Sequence, residues 1–116
     1  MLLIEGLVSG YTRVAVLKSV ALTGPEQSII GVLGANGAGK TALLRAISAL
    51  NPVQSGRIEF DGATLATSTA DAVVRRGVIQ VPQGRMLFGA MSVRENLELG
   101  AYLQTDRHLI DERLDL

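Results

Sequence analysis

The stretch that most restricts how this chain can fold is Gly34-Ala35-Asn36-Gly37-Ala38-Gly39-Lys40-Thr41. It fits the phosphate-loop pattern G-x-x-x-x-G-K-S/T, which has meaning only between a strand and a helix. Both neighbours are legible. Residues 28–33, Ser-Ile-Ile-Gly-Val-Leu, form a short continuous apolar run rich in β-branched side chains, which predicts a buried strand. Beyond the loop, Leu43, Leu44, Ile47 and Leu50 recur at helical spacing and predict a helix over 41–50 with one apolar face.

That arrangement carries a definite chemistry. Gly34, Gly37 and Gly39 allow tight or left-handed backbone, so successive N–H groups can converge on a polyphosphate. The helix N-terminus behind them adds unpaired N–H groups and a favourable dipole. In this pattern Lys40 reaches the β- and γ-phosphates as a point charge, and the Thr41 hydroxyl ligates a bridging Mg²⁺. A chance match in a glycine-rich chain is the competing explanation, and the flanking strand and helix argue against it.

The remaining composition bounds the function. The 116 residues suit one small domain, and 47% are hydrophobic without any run long enough to span a membrane. The surplus apolar surface therefore belongs to a core or an interface. The N-terminus Met-Leu-Leu-Ile-Glu has neither a basic region nor a cleavage site, so no signal peptide is expected. With no cysteine, a disulfide or thiolate-metal framework is excluded and a cytosolic setting is the default expectation. Eleven basic residues balance eleven acidic ones, which gives no reason to expect nucleic acid or anionic lipid as a partner.

Along the chain, residues 2–8 and 14–22 read as strands separated by a turn-like 9–13, and 23–27 forms a second turn. Asn51-Pro52 stops the first helix, and 57–60 is a strand closed by the hairpin signal Asp61-Gly62. Residues 70–76 suggest a short helix ended by Gly77, and 77–81 the next strand, ended by Pro82. A loop over 83–91 precedes the capping box Ser92-Val-Arg-Glu95, which opens a helix to about Leu103, and 106–116 is charged and amphipathic. Glu59 and Asp61 flank a turn and are expected to be solvated. Arg75 and Arg76 suit a helix C-terminus, and His108 reads as a surface residue.

A phosphate loop alone does not choose among kinases, GTPases and transport ATPases. The loop 34–41 followed by Ser55-Gly-Arg-Ile-Glu-Phe-Asp-Gly62, Val81-Pro-Gln-Gly-Arg-Met-Leu-Phe88 and Ser92-Val-Arg-Glu-Asn-Leu97 resembles the nucleotide-binding subunits of ABC transporters. Within them it looks most like the LivF-type ATPases of branched-chain amino acid importers. The resemblance spans nearly all of residues 1–116 and implies a partial α/β P-loop NTPase domain. That is an N-terminal fragment with an antiparallel β subdomain, formed up to about residue 30 and from 57 to 66, beside an incomplete parallel core. The implied ligands are ATP and Mg²⁺.

Residue by residue, the resemblance makes Tyr11 the aromatic that stacks on adenine and Val16 an apolar contact to base or ribose. It makes 34–42 the phosphate site, with Lys40 also catalytic. Gln83 becomes the Q-loop residue that touches Mg²⁺ and the attacking water, and Arg85 and Phe88 become contacts to a transmembrane partner. Plainer roles stand beside these: an edge Tyr packed on its turn, a solvated loop Gln, a loop Arg and a core Phe. Ala42 departs from the family, which usually places a hydroxyl there to bond the α-phosphate. No LSGGQ signature, strand ending in Asp-Glu, D-loop or switch histidine follows Leu97.

The expectation is thus an ATP-binding part of an importer ATPase that binds nucleotide weakly and does not hydrolyse it alone. Its partners in a full-length form would be permease subunits and a second ATPase subunit, at the cytoplasmic face of the plasma membrane. A second reading is an oligomerising, non-hydrolysing module in which the loop is vestigial and uncovered apolar edges serve assembly or strand exchange. A small P-loop kinase is a third, disfavoured by antiparallel strands ahead of the loop.

Overall fold

The computed structural model describes residues 1–11, 14–35, 37 and 39–115, and these fall into two units, Met1–Gln80 and Val81–Leu116. The first unit is built on an antiparallel sheet of four strands: β1 (Leu2–Tyr11), β2 (Val14–Gly24), β3 (Val53–Phe60) and β4 (Ala63–Thr64), in the order β2-β1-β3-β4. β1 is central. It pairs with β2 from Leu2↔Gly24 to Tyr11↔Val14, and with β3 from Leu2↔Phe60 to Ser9↔Val53.

Ile4 and Leu7 are both buried although they lie three positions apart, which would put them on opposite faces of a regular strand with period two. The register shift between Glu5 and Val8 resolves this, because one extra residue returns Leu7 to the core side. Glycine is required at the crossing. Gly6 and Gly56 both have positive φ, and a Cβ on Gly56 would lie 2.3 Å from the Gly6 carbonyl oxygen.

Helix α1 (Lys40–Ile47) packs on the sheet through Ala42, Leu43 and Ala46, which join Ile4, Leu7, Leu17, Ile58, Leu65 and Val73 in the core. The buried stripe is therefore rotated from the expected one: Leu43 is buried and Ile47 packs against the core, but Leu44 and Leu50 are exposed. Alanines at 42 and 46 let the helix backbone approach the strands closely. The helix also ends before residue 50, with Ser48 as its C-cap. Helix α2 (Ala70–Arg75) is capped by Thr69, whose side chain accepts from the Ala72 amide, and Gly77 at φ +91° follows it as expected.

The hairpin signal holds. Asp61 and Gly62 both have positive φ, the two-residue turn joining β3 to β4 through Phe60↔Ala63. The acidic residues around it are not simply solvated: Glu59 accepts from Arg57 at 3.2 Å and Asp61 pairs with the N-terminal ammonium at 2.5 Å.

Residues 28–33 and 77–81, expected as strands, lie in no strand. Apolar sequence makes a segment suited to a parallel strand, but a strand exists only when a neighbour accepts its hydrogen bonds. Among the described residues no neighbour does so, and the sheet is wholly antiparallel.

The second unit contains α3 (Val93–Gly100) and α4 (Arg107–Leu114), neither with a buried residue. The Ser92/Glu95 capping box forms in both directions, although α3 stops at Gly100 rather than near 103. The tail is helical because Asp106 caps it, accepting from the amides of His108 and Leu109. Arg94 and Arg107 link the helices through Glu98 and Asp111. No described helix is long and apolar enough to cross a membrane.

Candidate phosphate-loop site

The site begins where β2, lying beneath the end of the glycine loop, meets the start of α1. Gly39 is the N-cap of α1 at φ +101°, and Gly37 is also left-handed at φ +85°. No side chain caps this helix, so its first amides are left for an external acceptor. Asn36 and Ala38, expected in the loop, lie outside the described residues. Gly34, Ala35 and Thr41 are exposed at the loop and first turn. Ala42 points instead into the core at 2% exposure.

The Lys40 ammonium donates to the carbonyls of Gly34 and, at 3.1 Å, Ala35. Lysine thus closes the loop on itself from its own C-terminal end. Three N–H donors on one ammonium are enough to hold two carbonyls and still address an anion. Left-handed glycines, an uncapped helix start and a loop-bound lysine together fit a polyphosphate.

The apolar flank is also in place. A Cβ on Gly39 would lie 3.0 Å from Leu17 Cδ2 and 3.6 Å from Val16 Cγ1, so Val16 stands at the helix N-terminus. Tyr11 ends β1 at 47% exposure, with the Arg45 guanidinium 5.9 Å from its ring centroid. The guanidinium thus makes a cation–π contact with a half-exposed ring. Arg45 is a site neighbour that sequence reasoning missed. Its position on α1, five residues after Lys40, was visible, but the strand end it would meet was not. Arg45 Nε also donates to Asn51 Oδ1 at 3.0 Å, tying the helix to the residue that follows it.

Gln83, Arg85 and Phe88 belong to the second unit. Gln83 lies in an exposed turn, followed by Gly84, Arg85 and Met86, all with positive φ. Phe88 is exposed rather than a core residue, and it helps line an apolar cavity of about 270 Å³ with Leu87, Met91, Val93 and Leu97. Asn96 was another residue missed. Its amide accepts from the Phe88 N–H at 3.1 Å and donates to the carbonyls of Phe88, Met91 and Ser92. Among the described residues no cluster of His, Asp and Glu could hold a metal. His108 is exposed, as its sequence setting suggested.

An antiparallel β subdomain leading into a glycine loop and helix is the architecture of an ABC-type ATPase domain, and the family model for ABC transporters matches residues 17–116. The chain belongs to this family. It is 30% identical over 115 residues to the high-affinity branched-chain amino acid transport ATP-binding protein BraG of Pseudomonas aeruginosa, covering 99% of this chain and 49% of that protein. It is 31% identical over 109 residues to the probable branched-chain amino acid transport ATP-binding protein LivF of Archaeoglobus fulgidus, covering 94% and 46%. The chain thus spans about half the length of these curated relatives.

Among solved structures, it superposes on a dimeric ATP-binding cassette in a post-hydrolysis state bound to ADP and Pi, with a TM-score of 0.80 at 20% identity over 97% of this chain and 53% of the other. An ATP-binding subunit of an ABC transporter gives 0.78 at 27% identity, over 93% and 45%. The fold is therefore that of the ABC ATPase, represented here by its antiparallel sheet and part of the domain.

Proposed function

We propose that this chain is the nucleotide-binding part of an ABC importer ATPase that drives uptake of branched-chain amino acids, and that its ligand is ATP with Mg²⁺. The observation that carries the reading is the left-handed Gly37 and Gly39 leading into a helix with no side-chain cap and Lys40 at its first position. The relatives named for branched-chain amino acid transport support the choice of cargo.

In this reading the amides at 34–42 cradle the phosphates, Lys40 addresses the β- and γ-oxygens, the Thr41 hydroxyl would be a ligand to the metal, and Gln83 is the Q-loop residue of the second unit. Tyr11 offers its ring to adenine while Val16 packs beside it. Mg²⁺, when bound, would supply positive charge against the charge developing on the transferred phosphoryl group. Arg85 and Phe88 contact a permease subunit at the cytoplasmic face of the membrane, and a second ATPase subunit completes the site. The 116 residues by themselves bind nucleotide weakly and do not turn it over, because phosphoryl transfer needs a positioned water and contacts from outside this segment.

Calorimetric titration with Mg-ATP tests this directly. Saturable binding that disappears in Lys40→Ala is the expected result. A folded chain with no binding, or binding indifferent to Lys40→Ala, would refute the nucleotide site. ATP hydrolysis by the chain alone, lost in Lys40→Ala, would refute the claim that it does not turn over.

A further inference from the structure

Tyr11 stands at the last paired position of β1, opposite Val14 of β2, with the Arg45 guanidinium carbon 5.9 Å from its ring centroid. Two loose side chains would not hold that contact. Arg45 is fixed by the chain that follows α1: its carbonyl accepts from the amides of Leu50 at 2.8 Å and Asn51 at 3.2 Å, and its Nε donates to Asn51 Oδ1 at 3.0 Å. Asn51 is only 6% exposed, so the acceptor is shielded from competing water.

Strand β1 is tied to the same corner. Ser9, fully buried and two residues before Tyr11, donates from Oγ to the Pro52 carbonyl at 2.7 Å. The strand end and the arginine are therefore both referenced to Asn51-Pro52, one through Ser9 and the other through Asn51. Because Arg45 lies on the helix that Lys40 opens, the same links set the position of Tyr11 relative to the phosphate loop.

We propose that Arg45 is a positioning residue for base recognition: held by Asn51, it fixes the Tyr11 ring where a purine stacks, while the phosphate loop binds the polyphosphate without it. This rests on the nucleotide reading of Tyr11 and adds to it a source of selectivity for the base. A cation near the ring centroid favours one placement of the ring, and a ring ordered before the ligand arrives loses less freedom on binding. The plain alternative for a basic residue in the last turn of α1 is service to the helix dipole. That role requires neither a partner beyond the helix nor an aromatic neighbour, and Arg45 has both.

The test is calorimetric titration of the chain with Mg-ATP and, separately, with Mg-tripolyphosphate, which carries phosphates and no base. Arg45→Met keeps an aliphatic stem and removes the charge and the donor, and it is expected to weaken Mg-ATP about fivefold while leaving Mg-tripolyphosphate unchanged. Tyr11→Ala should show the same split, and the double variant should lose no more than Tyr11→Ala alone. A general loosening of the fold lowers both ligands together, so equal weakening of the two by Arg45→Met would overturn the proposal. Unchanged Mg-ATP affinity in Arg45→Met, or a further loss in the double variant, would do so as well. Should Arg45→Met fail to fold, Asn51→Ala leaves the arginine in place without its anchor; it must give the same base-selective loss, and its absence refutes the proposal. A native chain that binds neither ligand refutes the nucleotide site itself, whereas a native chain that binds both, with Arg45→Met indifferent, refutes the role of Arg45 alone.

Discussion

Ala42 is the residue at which packing and ligand chemistry pull in opposite directions. A hydroxyl there would donate to the α-phosphate, and a hydrogen bond to a charged group contributes about 1.5 to 3 kcal/mol. The side chain is nevertheless in the core, where a hydroxyl without a partner costs about 1 to 3 kcal/mol. Ala42→Thr is expected to bind Mg-ATP at least tenfold more tightly, in calorimetry, while its nucleotide-free form melts at a lower temperature. Equal affinities would show that position 42 does not reach the phosphate. The identity of residue 42 was readable from the chain alone, but its burial depended on which face of α1 the sheet selected.

A second residue-scale prediction concerns Glu5 and Arg57, opposed across β1 and β3. Arg57 donates to Glu5 at 2.7 Å and also reaches Glu59. The hydrogen bond from Arg57, helped by its charge, holds the Glu5 carboxyl below its ordinary value of 4.5 against an opposing cost of desolvation. A carboxyl whose folded value is depressed stabilises the fold above its unfolded value, and the contribution fades as pH falls through the folded value. Denaturation midpoints of the native chain and Glu5→Gln should therefore differ near neutral pH and converge below pH 4.5. Both groups are exposed, so the difference is small and should shrink further in high salt.

Among the elements, the β3–β4 hairpin and α3 were legible because their signals are local. Asp-Gly selects a turn with two left-handed residues whatever lies around it, and Gly62→Ala is expected to cost about 1 to 2 kcal/mol in chemical denaturation. The capping box at α3 likewise needs only four consecutive residues. Ser92→Ala should lower stability by about 1 kcal/mol, read as faster amide exchange at Glu95, the N–H that the Ser92 side chain now accepts from. The segments 28–33 and 77–81 were misread for the complementary reason: their apolar content describes what a strand would contain, whereas strand formation requires a hydrogen-bonded neighbour. The β1 bulge was equally invisible, since nothing near Gly6 in the chain announces that Gly56 will cross it.

At the scale of the whole molecule, burial is concentrated in the first unit. Ile58 is fully buried on β3, and its truncation to Ala should cost about 2 to 5 kcal/mol by removing contacts and leaving a cavity. Leu97, 57% exposed on α3, should cost well under 1 kcal/mol when truncated. Parallel thermal melts of the two variants check this, and similar losses would show that the second unit carries more of the core than its burial indicates.

The chain alone was enough to specify the phosphate-loop pattern, the hairpin turn, the capping box of α3 and the family, because each rests on residue types at short fixed spacing. Tertiary structure decided which stripe of α1 is buried, that Lys40 rests on Gly34 and Ala35, that Arg45 covers one face of Tyr11, and that the strand-like segments have no pairing neighbour among the described residues. These depend on groups far apart in the chain meeting in space. Only the packed sheet and helix determine which of them meet.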